Sequence, residues 1–280
     1  MSKSIYIIAG EASGDFIGSQ LIRALCAQSP DININGIGGG LMHAQGLDSL
    51  FPMHELSVMG IGEILPKIPH LLKRINQTVE DIIKKKPDIV ITIDAPDFSF
   101  RVHKKLRKAL GENAPKLIHY VAPTVWAWRP KRAKKIARFL DGLICLFDFE
   151  PDYFTAEGLN AIAVGHPMME SGIIEATPFK IGQENTKKVG LFFGSRVSEI
   201  NRHADIFIQA AQNIEGDIEF IIPTLPHIKP LLEEKLSALN HPCHVIETPD
   251  NKWAVFKGCD AALAVSGTVG LELALSLIHI

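Results

Sequence analysis

The stretch IVITIDAPDFSFRVHKKL, residues 89–106, decides the fold. Ile89–Ile93 is an unbroken apolar and β-branched run, the pattern of a strand covered on both faces. It runs straight into Asp94 and a proline-containing turn. Arg101–Leu110 follows with apolar residues at helical spacing. A strand, a tight turn and a helix in this order predict a parallel sheet with helices on its faces. The stretch also poses a chemical question. A carboxylate that is buried and unpaired costs several kcal/mol, so the turn needs a reason to carry one.

Outward from this stretch the same alternation repeats. Upstream, Ser4–Ala9 and Ile32–Ile37 read as strands, and Asp15–Cys26 and Leu71–Lys85 as helices. Downstream, Lys116–Val121 and Gly142–Phe147 read as strands around a helix at Lys131–Leu140. Gly165–Lys188 is rich in Gly, Pro, Thr, Asn and Lys, and a second series then starts. Its strands are Lys188–Phe193, Glu219–Ile222, His244–Ile246 and Ala261–Val265. Its helices are Ala204–Ile214, Ile228–Leu239, Lys252–Lys257 and Thr268–Leu275. The expectation is α/β, with two Rossmann-like doubly wound domains in tandem facing a cleft: residues 1–168, a linker at 169–187, and 188–280. The second domain is expected to be incomplete, because the chain stops one helix after its fourth strand. In open α/β sheets ligands sit at the carboxyl ends of strands, so the loops there are the candidates for chemistry.

Composition narrows the classes. The 280 residues are 46% apolar and 21% charged with net charge −2, which disfavours a general nucleic-acid binder. The four cysteines are scattered with no CxxC pair, so neither a zinc site nor a disulfide framework is expected, and a reducing cytoplasm fits. No run of about 18 apolar residues reads as a membrane span.

Five loops carry the candidate chemistry. In AGEASGD, residues 9–15, Ser13 and the backbone N–H groups suit a sugar or phosphate at a helix N-terminus. The same residues also suit a plain turn with Ser13 or Asp15 as the N-cap. The loop is neither GxGxxG nor a P-loop. Asp94, at the end of a central strand, suits a rigidly held general base, with structural hydrogen bonding as the other reading. Asp97 suits the cap of the next helix, and no third ligand nearby suggests a metal. In HYVAPTVWAWR, residues 119–129, Trp126 and Trp128 suit stacking on sugar rings, or the core. Arg129 and the cations Lys131, Arg132, Lys134 and Lys135 suit a solvated helix face, a phosphate or an anionic membrane surface. In the second domain Ser195 and Arg196 end one strand, and Ser266, Gly267 and Thr268 end another. Glu272 lies a turn into the helix that follows, where a carboxylate can accept from a ribose diol. Together these suit a nucleotide diphosphate. His166 faces the cleft or braces the linker.

Read in order, IAGEASGD, VMGIGEIL, PDIVITIDAPDF, HYVAPTVWAWR, VGHP, GSRVSEI and SGTVGLELAL resemble the lipid-A-disaccharide synthases, an inverting glycosyltransferase family. The resemblance implies a GT-B-like fold and a hexosyltransferase that condenses UDP-2,3-diacylglucosamine with 2,3-diacylglucosamine 1-phosphate (lipid X). It makes Asp94 the base and places UDP on Ser195, Arg196, Ser266, Gly267, Thr268 and Glu272. The acceptor side would be Ser13, Asp97, Trp126, Trp128, Arg129 and His166. It implies no metal and no cofactor. It also implies a protein peripheral on the cytoplasmic face of the inner membrane, touching that anionic surface and the acyl chains through Met59, Ile61, Ile64 and Leu65, with Lys67, Lys73 and Arg74 as a basic rim. A homodimer is compatible with the sequence. The sequence departs from the family where Phe193 replaces the proline before GSR, where DFE, residues 148–150, replaces PFE, and where SLIHI ends the chain. Two other readings stay open: a UDP-sugar enzyme of the same fold, such as a UDP-N-acetylglucosamine 2-epimerase, and a non-catalytic fragment that binds UDP or membrane.

Overall fold

The computed structural model describes residues 3–56, 61–170, 172, 175–194, 197–226, 228–247 and 252–276, leaving aside the side chains of 61–68, 170, 198 and 268. The chain divides into two compact units, Met1–Pro167 and Met168–Ile280.

In the first unit β1 (Ser4–Ala9), α1 (Ala12–Gln28), β2 (Asn33–Ile37), α2 (Gly40–Ala44), α3 (Ile61–Lys85) and β3 (Ile89–Ile93) come first. They are followed by α4 (Pro96–Leu110), β4 (Lys116–Tyr120), α5 (Arg132–Ile136), β5 (Gly142–Cys145), α6 (Asp152–Thr155) and β6 (Ala161–Ala163). All six strands are parallel, in the order β2-β1-β3-β4-β5-β6. Period-two alternation sends Tyr6, Ile8 and Val90 into one core with Phe98, Val102 and Leu106 of α4. Ile5, Ile7, Ile91 and Ile93 enter the other, with Ile17 and Ile22 of α1. This double burial is why the strands read as unbroken apolar runs.

The second unit runs β7 (Lys187–Phe192), α7 (Val197–Gln212), β8 (Ile218–Thr224), α8 (Lys229–Leu236), β9 (Cys243–Glu247), α9 (Lys252–Lys257), β10 (Ala261–Ala264) and α10 (Thr268–Leu275). Its parallel sheet has the order β10-β7-β8-β9. Leu191, Phe220 and Ile222 pack on α7 and α8, and Phe192 and Ile221 pack on α9 and α10.

Several elements differ from expectation: α4 begins at Pro96 rather than Arg101, and α7 at Val197 rather than Ala204. The helix expected over Lys131–Leu140 is only Arg132–Ile136, and β6 was too short, at three residues, to stand out in the sequence. Part of the expected linker 169–187 is tied to the second unit. Phe179 N–H donates to Ala254 O at 2.8 Å, and Gln183 N–H to Glu219 Oε1 at 2.9 Å. Glu219 also accepts from Thr186 Oγ1 at 2.9 Å, meets His244 Nε2 at 2.8 Å and lies 3.8 Å from Lys188 Nζ.

Candidate functional site

Strand order in the first sheet reverses between β1 and β3, so the loops after these strands meet at the topological switch point. Glycine permits the approach. A Cβ on Gly10 would stand 2.6 Å from Ala95 Cβ, and one on Gly14 3.3 Å from Ile93 O. Ser13 is half-buried in the first turn of α1. Asp15 does not cap α1. Its carboxylate accepts from Gly39, Leu41 and Met42 N–H at 2.8–3.0 Å and so satisfies the start of α2. Asp15 is therefore structural.

Asp94 leaves β3 with φ of 53°, and Ala95 follows at 45°. Both are left-handed conformations that side-chain-bearing residues adopt at a cost. They are held by Asp94 N–H donating to Tyr120 O at 3.0 Å, and by Ser99 Oγ donating to Asp94 O at 2.8 Å. Val121 and Arg129 are also left-handed, at 78° and 58°. Four of the five such non-glycine residues among the described ones thus lie on the loops after β3 and β4. The Asp94 carboxyl is half-buried, and burial raises its pKa against a smaller lowering by the Ala95 N–H. Asp97, expected as a helix cap, is exposed in the first turn of α4, which has no side-chain cap.

Behind this loop lies a buried polar cluster. Thr92 Oγ1 is 2.9 Å from His103 Nε2 and 2.7 Å from His119 Nδ1. Burial holds His103 down to about 3 and His119 well below its ordinary value, so both rings are neutral. Since one hydroxyl donates only once, it donates to one ring and accepts from the other.

The loop after β4 carries the aromatics outward. Trp126 and Trp128 are 45% and 57% exposed, which rules out the core reading for both. Trp126 meets Phe149 edge-on at 5.4 Å, and Phe149 stacks on Phe147 at 5.8 Å. The Arg129 guanidinium lies 4.0 Å over the Trp128 ring. Trp128 and Arg129 line an open groove with α4 and α5. His166 is half-buried at the end of the unit, and burial lowers its pKa.

In the second sheet the order reverses between β7 and β10. The loops after them meet there too: Val265 N–H donates to Phe192 O at 3.1 Å, and a Cβ on Gly194 would come within 3.5 Å of Val265 Cγ2. Ser195 and Arg196 lie outside the described residues. Ser266 and Gly267 are exposed, and Thr268 opens α10, its side chain outside the described set. Glu272 is buried. Its carboxylate accepts from Lys252 Nζ at 2.5 Å, so the ribose partner expected there already has a lysine beside it. Burial raises the Glu272 pKa while Lys252 opposes the rise. Sequence reading missed Lys252, because nothing local in α9 marks it.

Of the expected membrane face, Met59 lies outside the described residues, as do the side chains of Ile61, Ile64, Leu65 and Lys67. Arg74 does not belong to a basic rim: it grips Glu55 through Nε and Nη2 at 2.7 Å and lies 4.6 Å over Phe51. Among the described residues no helix is long and apolar enough to cross a membrane, and no three His, Cys, Asp or Glu cluster as metal ligands.

A description of the lipid-A-disaccharide synthetase family matches residues 5–278. The lipid-A-disaccharide synthase of Rhodospirillum centenum is 42% identical, with 97% of this chain and 70% of that protein aligned. That of Gluconobacter oxydans is 40% identical over 97% of this chain and 66% of its own length. The chain thus spans about two thirds to seven tenths of these relatives. Among solved structures, UDP-GlcNAc 2-epimerase of Methanocaldococcus jannaschii in complex with UDP-GlcNAc and UDP superposes with TM-score 0.64 at 16% identity, over 98% of this chain and 82% of that one. MurG of Acinetobacter baumannii superposes with TM-score 0.55 at 12% identity, over 99% and 79%. Identity this low speaks for the fold alone, which is GT-B-like.

Proposed function

The chain belongs to the lipid-A-disaccharide synthetase family, and from that premise we propose that it is an inverting hexosyltransferase joining UDP-2,3-diacylglucosamine to 2,3-diacylglucosamine 1-phosphate, with UDP released. Asp94 is the base. It takes the proton of the acceptor 6-hydroxyl as that oxygen attacks the anomeric carbon, and the bond to the β-phosphate oxygen breaks with its electron pair leaving on UDP. A single in-line displacement inverts the anomeric centre. One observation carries this reading: Asp94 sits half-buried at a switch-point strand end, in a strained turn, and among the described residues no cation pairs with it. Burial without a counter-ion makes a carboxylate a stronger base and costs stability, a combination that suits catalysis.

The leaving diphosphate falls to the loops after β7 and β10. Arg196 supplies fixed charge, Ser195, Ser266, Gly267 and Thr268 supply donors, and the Lys252–Glu272 pair adjoins the ribose. Trp126, Trp128 and Arg129, with Ser13, Asp97 and His166, form the acceptor side. The acylated substrates place the protein peripherally on the cytoplasmic face of the inner membrane, with Met59, Ile61, Ile64 and Leu65 toward the acyl chains.

The test mixes both lipid substrates with the protein in detergent, for this chain and for the chain extended to the length of its relatives, and reads disaccharide and UDP by mass spectrometry. Disaccharide that disappears in Asp94→Asn is the expected result. A folded, UDP-binding extended protein that makes none sinks the reading.

A further inference from the structure

The groove on the first unit has a charge pattern that the family assignment leaves unexplained. It is about 980 Å³ and runs between α4 and the 128–139 segment. Six cations line it, Arg101, Lys104, Arg129, Lys131, Arg132 and Lys135, against one carboxylate, Asp97. None of the six is ion-paired among the described residues. The contrast lies on the same helix: Arg107, one turn beyond, meets Asp141 at 2.6 Å. Three of the groove cations instead rest on rings. Lys104 Nζ lies 5.1 Å over Phe139, Arg132 5.4 Å over Phe100, and Arg129 4.0 Å over Trp128. Cation–π seats hold the charged heads in place without neutralising them. Six uncompensated like charges repel, and a dense anion relieves that cost.

Position narrows the anion. The groove opens at Pro96 and Asp97, two and three residues past Asp94. Asp97, Arg101 and Lys104 recur at i, i+4 and i+7, so they form one stripe along α4, with Arg101 about 6 Å and Lys104 about 10 Å beyond Asp97 at 1.5 Å per residue. The near end of this stripe, at Asp97 and Arg101, is the end next to the Asp94 turn. We propose that this groove seats the phosphate monoester of the acceptor sugar, with Arg101, Lys104 and Lys135 as its specificity-determining cations. The inference rests on the synthase reading and adds to it a means of telling the phosphorylated acceptor from its neutral counterpart. A monoester carries nearly two charges and three acceptor oxygens at neutral pH, which arginine forks and lysine heads match.

The experiment is equilibrium binding of short-chain 2,3-diacylglucosamine 1-phosphate, of the same sugar without phosphate, and of UDP. It uses the full chain and two variants, Arg101→Gln/Lys104→Gln/Lys135→Gln and the charge-conserving Arg101→Lys. All three substituted side chains are exposed, so the fold tolerates the changes. The expected result is a preference of roughly tenfold or more for the phosphorylated sugar, lost in the triple variant, kept in Arg101→Lys, and with UDP affinity unchanged throughout. A triple variant that keeps the preference overturns the proposal. So does one that loses only binding to phosphatidylglycerol vesicles, since the groove would then serve a membrane surface. If the unsubstituted chain binds UDP and both sugars equally, the proposal fails while the synthase reading stands. If it binds none of them, both fail.

Discussion

Asp94 follows an inner strand of the first sheet and Glu219 lies on an inner strand of the second, and their surroundings treat the two carboxylates in opposite ways. Glu219 is fully buried and satisfied: a backbone N–H, a threonine hydroxyl, a histidine and a lysine converge on it and hold its pKa down to about 2, the Gln183 N–H contributing most. Asp94 has burial without a cation among the described residues, and its pKa moves up. The first carboxylate fastens the 183–186 segment to its sheet. The second spends conformational and electrostatic energy at a strand end. A carboxylate whose partners are complete holds structure, and one left incomplete at a switch point is available for a reaction.

The strongest way to break this comparison is Asp94→Asn. Turnover should fall by roughly 10²–10⁴-fold, the usual range for a general base, while the melting temperature holds or rises because a poorly solvated charge is gone. A variant that unfolds with activity per folded molecule intact would reverse the two roles. Next comes Glu219→Ala, which should cost about 3–5 kcal/mol in denaturant titration by leaving the buried Lys188 charge without its counter-ion and the Gln183 N–H without its acceptor, and should leave Asp94 chemistry intact. Acid should separate the sites as well. Because the Glu219 pKa is lowered, its contribution is present above about 4.5 and disappears as pH falls towards 2. Because the Asp94 pKa is raised, ionising it works against folding, so acid relieves that cost instead.

Smaller effects sharpen the picture of the platform under Asp94. Thr92→Val removes the hydroxyl shared by His103 and His119 and should cost about 1–3 kcal/mol by leaving buried nitrogens unsatisfied. With His103 neutral down to about 3 in the fold but titrating near 6.5 when unfolded, stability should decline as pH drops from 6.5 towards 3, readable by thermal melts across that window. Gly10→Ala should cost on the order of 1 kcal/mol and part the two switch-point loops, since its Cβ meets Ala95 at 2.6 Å. Reduced turnover at near-normal stability is the signature to seek.

Most of the fold was legible because its signals are local. Ser4–Ala9 and Ile89–Ile93 are strands to the residue, since double burial leaves an uninterrupted apolar run bounded by turn residues. The helix after Asp94 was placed five residues late, at Arg101, because Pro96 reads as a turn yet serves as the first helical residue. Asp15 looked like a cap for its own helix and instead caps α2, reaching 24 to 27 residues along the chain. The cations of the 129–135 run were visible, but their convergence with Arg101 and Lys104 was not, because half the groove belongs to α4.

The sequence by itself determined the α/β alternation, the strand-end position of Asp94, the strand-end loops that became the candidate site and the family. Each follows from periodicity over five to fifteen residues or from short motifs, which survive without any partner in space. Tertiary structure alone decided which charges are answered. Lys252 meets Glu272, Lys188 and His244 meet Glu219, Arg74 turns in to Glu55, and six groove cations meet no carboxylate that neutralises them among the described residues. The physical reason is range: hydrophobic periodicity is written along one element, whereas an ion pair needs two elements brought within about 4 Å, and only strand order and helix packing set that distance.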